Sequence, residues 1–190
     1  MEVRRLEIEG VLVITPKQFS DGRGFFAETY NKERLAAEAG ITEDFVQDNH
    51  SLSRQAGTLR GMHFQIPPRA QDKLVRVLRG SILDVVVDIR AGSPTYGRWV
   101  SAILSAENFA QIWIPKGFAH GLVTLEPDTE IAYKTTDTYS AEHDRGLAWN
   151  DPALGIDWPV DADGVILSDR DRKHPRLAEL EAYFSYGDSD

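Results

Sequence analysis

Six short runs rich in β-branched and aromatic residues follow one another through the middle of the chain, with turn residues between them and no helical pattern interrupting. That order restricts the fold more than any other feature. Leu74–Leu78 and Ile82–Val87 are joined by Arg79-Gly80-Ser81. Trp99–Leu104 and Gln111–Ile114 flank Ser105-Ala106-Glu107-Asn108, and Gly121–Leu125 and Thr129–Thr135 flank Glu126-Pro127-Asp128. Each pair reads as a β-hairpin, because a turn signal between two β-rich runs brings them side by side at low entropic cost. Short strands at this spacing predict an all-β sandwich or barrel rather than an α/β fold. A closed jelly-roll barrel also leaves a mouth in which a small molecule can sit.

Two segments have helical spacing instead. Residues 31–39 carry Asn31 as a cap, Glu33 in the first turn, Leu35, Ala36 and Ala39 on one side, and Gly40 as a stop. Leu177–Phe184 places Leu177, Leu180 and Phe184 on one side and predicts a second helix over about 176–185. No repeat or low-complexity stretch divides the chain, so residues 1–190 read as one domain, with a core over about 3–173 and short flanking helices. The acidic tail Gly187–Asp190 is expected to fray.

Charge narrows the partners. The net charge is −9, from 21 basic and 30 acidic residues, and a field of that sign disfavours nucleic acid and anionic membrane. An anionic ligand then needs a local cluster of cations, for which Arg23, Arg60, Lys73 and Arg170 are candidates. Apolar runs such as Leu83–Val87 are too short to span a bilayer, and MEVRRLEIEG lacks the apolar stretch of a secretory signal. There is no cysteine, which removes disulfides and thiolate metal sites. The expectation is a cytoplasmic protein.

The chemistry must come from other groups. The histidines are His50, His63, His120, His143 and His174. Any one of them, taken singly, is more often a hydrogen-bonded core or loop-end residue than a catalyst. His63 lies in Gly57-Thr58-Leu59-Arg60-Gly61-Met62-His63-Phe64-Gln65, where strand alternation puts Arg60 and Met62 on one face and Leu59, Gly61, His63 and Gln65 on the other. His120 follows the Pro115-Lys116-Gly117 turn. No His-x-His occurs, and Gln65 occupies the place a second ligand would take after His63, so no metal is expected. Acid–base chemistry remains. His63 can act as a base near neutral pH, Leu167-Ser168-Asp169-Arg170-Asp171 offers carboxylates to orient it, and Tyr133 can be an opposing acid.

Several stretches together carry a resemblance. They are Asp21-Gly22-Arg23-Gly24-Phe25-Phe26-Ala27-Glu28, Phe45-Val46-Gln47-Asp48-Asn49-His50-Ser51, Leu59–Gln65, Lys73–Val77, Trp113–Gly121, Tyr133–Thr136, Trp149–Pro152, Gly155–Pro159 and Leu167–Asp171. In order and spacing, from about residue 3 to 173, they resemble the dTDP-4-dehydrorhamnose 3,5-epimerase family. The resemblance implies a cupin jelly roll, no cofactor, no metal, and a dTDP-linked 4-keto-6-deoxy sugar epimerised at C3 and C5 through enolates. It implies His63 as base, Asp171 rather than Asp169 as its partner, and Tyr133 as the opposing acid. Lys73 and His120 match residues lining the sugar pocket, with Lys73 stabilising enolate charge. Arg23, Phe26, Glu28, Gln47, Asn49 and Arg60 match nucleotide and diphosphate contacts, and Tyr139 matches a tyrosine that stacks on or gates the pocket. Arg170 stands where the family usually has lysine, and Asp144 where it usually has glutamate; both keep charge and change reach. The resemblance also implies a homodimer in which Arg23 and Glu28 complete the neighbour's site. A 3- or 5-epimerase acting on one carbon, or a non-catalytic sugar-nucleotide-binding cupin, are the competing readings.

Overall fold

A computed structural model describes residues 1–161 and 163–187, so the tail expectation lies, beyond Gly187, outside the described residues. Thirteen strands account for most of the ordered structure. They are β1 (Glu2–Arg5), β2 (Leu12–Thr15), β3 (Gln18–Asp21), β4 (Gly24–Ala27), β5 (Gln47–Ser53), β6 (Leu59–Gln65) and β7 (Lys73–Arg79). After these come β8 (Ser81–Asp88), β9 (Trp99–Ser105), β10 (Gln111–Ile114), β11 (Phe118–Thr124), β12 (Thr129–Thr135) and β13 (Asp144–Gly146). A six-stranded sheet runs β1-β2-β10-β7-β12-β5, a five-stranded sheet runs β13-β6-β11-β8-β9, and β3-β4 forms a separate ribbon. All the paired strands are antiparallel. The all-β expectation holds, and the two large sheets face each other as in a jelly roll.

None of the three expected hairpins forms a ladder. β7 belongs to the six-stranded sheet and β8 to the five-stranded one; the same division separates β9 from β10 and β11 from β12. Each turn is instead a corner at which the chain passes from one sheet to the other. A single residue, Gly80 with φ of 75°, separates β7 from β8, which is too short for a two-residue hairpin turn. The consecutive strands of the two large sheets that do pair are β1 with β2, and β8 with β9 across the longer 89–98 connection. Corner and hairpin share one local signature; which edge a strand joins is settled by the apolar face it must bury.

The buried faces explain the packing. Val75 and Val77 of β7, Ile82 and Val86 of β8, Ile112 and Ile114 of β10, and Ile131 of β12 interdigitate between the sheets. Burying such a side chain is worth roughly 1.5–3 kcal/mol, so this layer outweighs any single polar contact in holding the sheets together. Alternate residues point out: Val85 and Val87 pack under the C-terminal segment, and Leu74 packs against the helix α1 (Lys32–Ala39). Asn31 caps α1 by accepting from the Arg34 N–H, and Gly40 ends it in the left-handed region.

The second expected helix is absent. Only Leu177–Glu179 forms a 3-10 turn, and the chain then continues without regular helix or strand. Its apolar residues Leu177, Leu180, Tyr183 and Phe184 still pack on the outer face of the five-stranded sheet. The backbone, however, finds partners outside the segment: Ala91 N–H donates to Phe184 O, and Tyr186 N–H donates to Ala91 O. These contacts take the place of the intrahelical bonds.

Candidate active site

At one end of the barrel the apolar layer stops and inward-facing polar residues take over, around a cavity of about 370 Å³. The alternation that sends Val75 and Val77 into the core also sends Lys73 inward from β7; Tyr133 follows Ile131 on β12, and His120 precedes Leu122 on β11. Arg60, His63, Tyr139, Asp144, Arg170 and Asp171 also line the cavity.

Strand β6 departs from plain alternation. Opposite it on β11, His120 pairs with His63 and Leu122 with Arg60, so two steps on β11 span three on β6. That extra residue is a bulge, and it shifts the parity of the strand. Arg60 and His63 therefore both line the cavity, while Met62 is buried in the outer cluster and Leu59 packs with Val123 and Trp149. The expected grouping of Arg60 with Met62 and of Leu59 with His63 is overturned for this reason. Gly61 sits at the bulge with φ of 122°, and a Cβ there would fall 2.6 Å from both Gly121 Cα and the His120 carbonyl oxygen. Only glycine lets the two strands approach this closely.

His63 Nε2 lies 2.6 Å from Asp171 Oδ1. Burial pushes the Asp171 carboxyl up, but His174, His63 and Ser168 together hold it well below the usual carboxylate range. An ionised carboxylate can only accept, so His63 carries its proton on Nε2 and leaves the Nδ1 lone pair free for a proton from substrate. Burial also pushes the His63 imidazolium down, against the pull of Asp171, which favours the neutral base at pH 7. Burial raises the Tyr133 phenol, keeping it a proton donor. Lys73 donates to the His63 carbonyl at 3.2 Å, and burial lowers its ammonium to about 8, with Asp144 and Asp84 opposing. Arg170 and Asp144 form an ion pair at 2.6 Å on the cavity wall. The substitutions at these two positions thus meet each other.

The remaining candidates lie further out. The Gln47 side chain accepts from the Tyr139 N–H and donates to Asn49. Asn49 and Glu28 line a neighbouring cavity of about 440 Å³ that Tyr133 also borders. Arg23 and Phe26 lie on the projecting β3–β4 ribbon, exposed; Arg23 pairs with Asp21 at 2.6 Å, and Glu28 faces Arg34. The structure does not bring Arg23, Phe26 or Glu28 into their own chain's catalytic cavity. Gln65, where a second metal ligand would stand, spends its amide on the loop: it donates to the Arg69 and Thr138 carbonyls and accepts from the Ser140 N–H.

Two residues were not singled out from the sequence. Asp84, fully buried in the middle of β8, lies 2.8 Å from His120 Nε2. An aspartate inside an otherwise apolar strand, Ile82-Leu83-Asp84-Val85-Val86, was the available signal. His174 stands T-shaped against His63 at 5.5 Å and approaches Asp171 Oδ1 to 3.4 Å. No local pattern marks it, because its contacts exist only once the C-terminal turn docks.

Known proteins resemble this chain in sequence and structure along nearly its whole length. The sequence profile of the dTDP-4-dehydrorhamnose 3,5-epimerase family matches residues 5–179. The dTDP-4-dehydrorhamnose 3,5-epimerase of Sinorhizobium fredii is 53% identical over 189 residues, covering 98% of this chain and 94% of that protein. The crystal structure of a dTDP-6-deoxy-D-glucose-3,5-epimerase from Legionella pneumophila, in complex with dTDP-4-keto-L-rhamnose, superposes with a TM-score of 0.93 at 45% identity, covering 97% of this chain and 98% of that one. A dTDP-4-dehydrorhamnose 3,5-epimerase from Bacillus anthracis, with TDP and PPi bound, gives a TM-score of 0.88 at 49% identity, covering 92% and 98%.

Proposed function

This chain belongs to the dTDP-4-dehydrorhamnose 3,5-epimerase family, and we propose that it converts dTDP-4-dehydro-6-deoxy-D-glucose to dTDP-4-dehydro-L-rhamnose. The observation that carries the reading is the convergence, in one cavity, of a carboxylate-paired neutral histidine, a protonated phenol and a half-buried ammonium. Those are the three groups an enolisation needs. The C4 ketone acidifies the C–H bonds at C3 and C5. The proton passes to His63 Nδ1, and the C–H electron pair becomes an enolate with its charge on the C4 oxygen. Lys73 stabilises that charge, in a site where low polarity strengthens the interaction. Tyr133 returns a proton to the opposite face, which inverts the carbon; solvent then reprotonates the phenolate, and His63 releases its proton.

Arg60 and Arg170 are the charged groups placed to receive the diphosphate, since a guanidinium fork donates two hydrogen bonds at once. His120 and Tyr139 line the sugar and base ends of the same cleft. The exposed ribbon bearing Arg23 and Phe26, with Glu28 after it, serves the site of a second copy in a homodimer. No helix among the described residues is long and apolar enough to cross a membrane; the same reading places the enzyme in the cytoplasm.

The test is proton NMR of the dTDP-4-keto-6-deoxyglucose substrate with purified protein in deuterated water. Deuterium at both C3 and C5 is expected. Deuterium at one carbon would reassign the chain to single-carbon epimerisation, and none would leave a binding protein. Tyr133→Phe should impair epimerisation more than proton removal, measured as product formed against deuterium incorporated.

A further inference from the structure

His174 takes no part in the chemistry above, yet it is held in place with some force. Its side chain is 9% exposed, and a Cβ on Gly146 would fall 2.3 Å from its ring. Its Nε2 is buried and stands 3.4 Å from Asp171 Oδ1, near enough to pull the carboxyl pKa down but without a well-aligned hydrogen bond among the described residues. A buried polar nitrogen left in that state costs stability and calls for an explanation. His63 Nε2 approaches the same oxygen, and one ligand atom from each of His63, Asp171 and His174 lies within 4.8 Å of the other two.

We propose that this trio is a binding site for one divalent transition-metal ion of the zinc class, and that filling it switches the enzyme off. Two imidazoles and a carboxylate form a donor set for such ions rather than for magnesium or calcium, which prefer oxygen. The open cavity beside His63 and Asp171 provides the entry path and room for a water as fourth ligand. With bonds of about 2.0–2.1 Å at tetrahedral angles, neighbouring ligand atoms sit about 3.3 Å apart. Asp171 Oδ1 is already 3.4 Å from one nitrogen; the 2.6 Å contact to the other must open, and the two nitrogens, within 4.8 Å of each other, must close toward that spacing. The net charge of −9 favours cation capture.

Inhibition follows from the ligand chemistry and rests on His63 being the base. A neutral imidazole bound to metal through Nε2 keeps its proton on Nδ1. The Nε2 proton of His63 leaves and Nδ1 gains one, with no oxidation and no change in the ring's charge. The nitrogen that accepts the substrate proton thereby becomes an N–H, and Asp171 is withdrawn from its partner.

Calorimetric titration of ZnCl2 into the metal-stripped full-length protein tests binding apart from activity. One equivalent per chain is expected, with affinity falling at least tenfold in His174→Phe, which keeps a ring against Gly146, and in Asp171→Asn. Unchanged affinity in either variant would overturn the site. Long-range 1H–15N spectra of the wild-type imidazoles provide a check that needs no variant: zinc should shift Nε2 of His63 and His174, and shifts confined to other histidines would sink the assignment. On the same sample, zinc should abolish deuterium incorporation into the sugar and EDTA should restore it. Zinc bound by the trio with incorporation continuing would overturn the switch. Metal-free protein that never incorporates deuterium would refute the epimerase reading while leaving the calorimetry to judge the site.

Discussion

The cavity contains two histidine–carboxylate pairs built in different ways. His63 and His120 face each other across β6 and β11 as a directly paired cross-strand couple. Each places Nε2 on an aspartate, at 2.6 Å for Asp171 and 2.8 Å for Asp84. Asp84 comes from the middle of β8, which pairs with β11 along its whole length, so sheet register alone delivers it to His120. Asp171 comes from a 3-10 turn 108 residues beyond His63 and reaches it only after the chain has closed around the barrel. Surroundings differ as well. Asp171 is held ionised by two imidazoles and Ser168, whereas one oxygen of Asp84 is buried without a hydrogen-bond partner. The His63 side chain is 34% exposed to the cavity, against 11% for His120. The same two residue types thus make a histidine open to the cavity, the proton acceptor of the proposed mechanism, in one place and a more enclosed wall group in the other.

That contrast is open to direct attack. The largest effect belongs to His63→Ala, which should lower turnover and deuterium incorporation at both carbons by about 10³-fold, within the range general bases contribute. His120→Ala should retain measurable incorporation, and equal losses in the two variants would erase the distinction. Next comes Asp171→Asn, expected to lower kcat/KM by about 10²-fold, because an amide neither fixes the His63 tautomer nor stabilises its cation. Asp84→Asn should cost no more than about tenfold, since its histidine lines the cavity and has no proton to move in the proposed mechanism. Loss of activity in the reverse order would exchange the roles of the pairs.

Smaller effects should appear in the pH dependence. In the proposed mechanism His63 is a neutral base, and burial lowers its pKa, so kcat/KM should hold down to a pH below 6.5, its unperturbed value, before protonation removes it. The proposed mechanism needs Lys73 as a cation, and burial lowers its pKa to about 8, so kcat/KM should fall as pH rises through about 8. A profile flat to pH 10 would remove the ammonium from the mechanism. The smallest effect separates the pairs once more. The charge of Asp84 helps keep Lys73 protonated, so Asp84→Asn should move the alkaline limb to lower pH. Asp171 exerts no such pull, and Asp171→Asn should leave that limb in place; a shift in the second variant and not the first would contradict the electrostatics.

Much of this protein was legible in its residues. β-rich runs marked most of the barrel strands, because side-chain alternation and turn chemistry are local. The cap Asn31 and the stop Gly40 bounded α1 to within a residue. His63, Tyr133, Lys73 and Asp171 could be named in advance, since the family pattern carries their identity along the chain. What the residues did not determine was which strand lies beside which. β7 and β8 read as a hairpin and are a corner, because sheet choice depends on burial summed over both faces. The bulge at Gly61 moved Arg60 to the side of His63, a parity change visible only once β11 supplies the opposing register. Leu177–Phe184 has helical spacing but leaves the helix after its first turn, and its end is tied to the distant Ala91 through the Phe184 carbonyl. His174 acquired a place beside the catalytic pair through docking of that same segment. Local order is written in neighbouring residues; contacts between distant segments arise only when the closed barrel decides which of them share an interior.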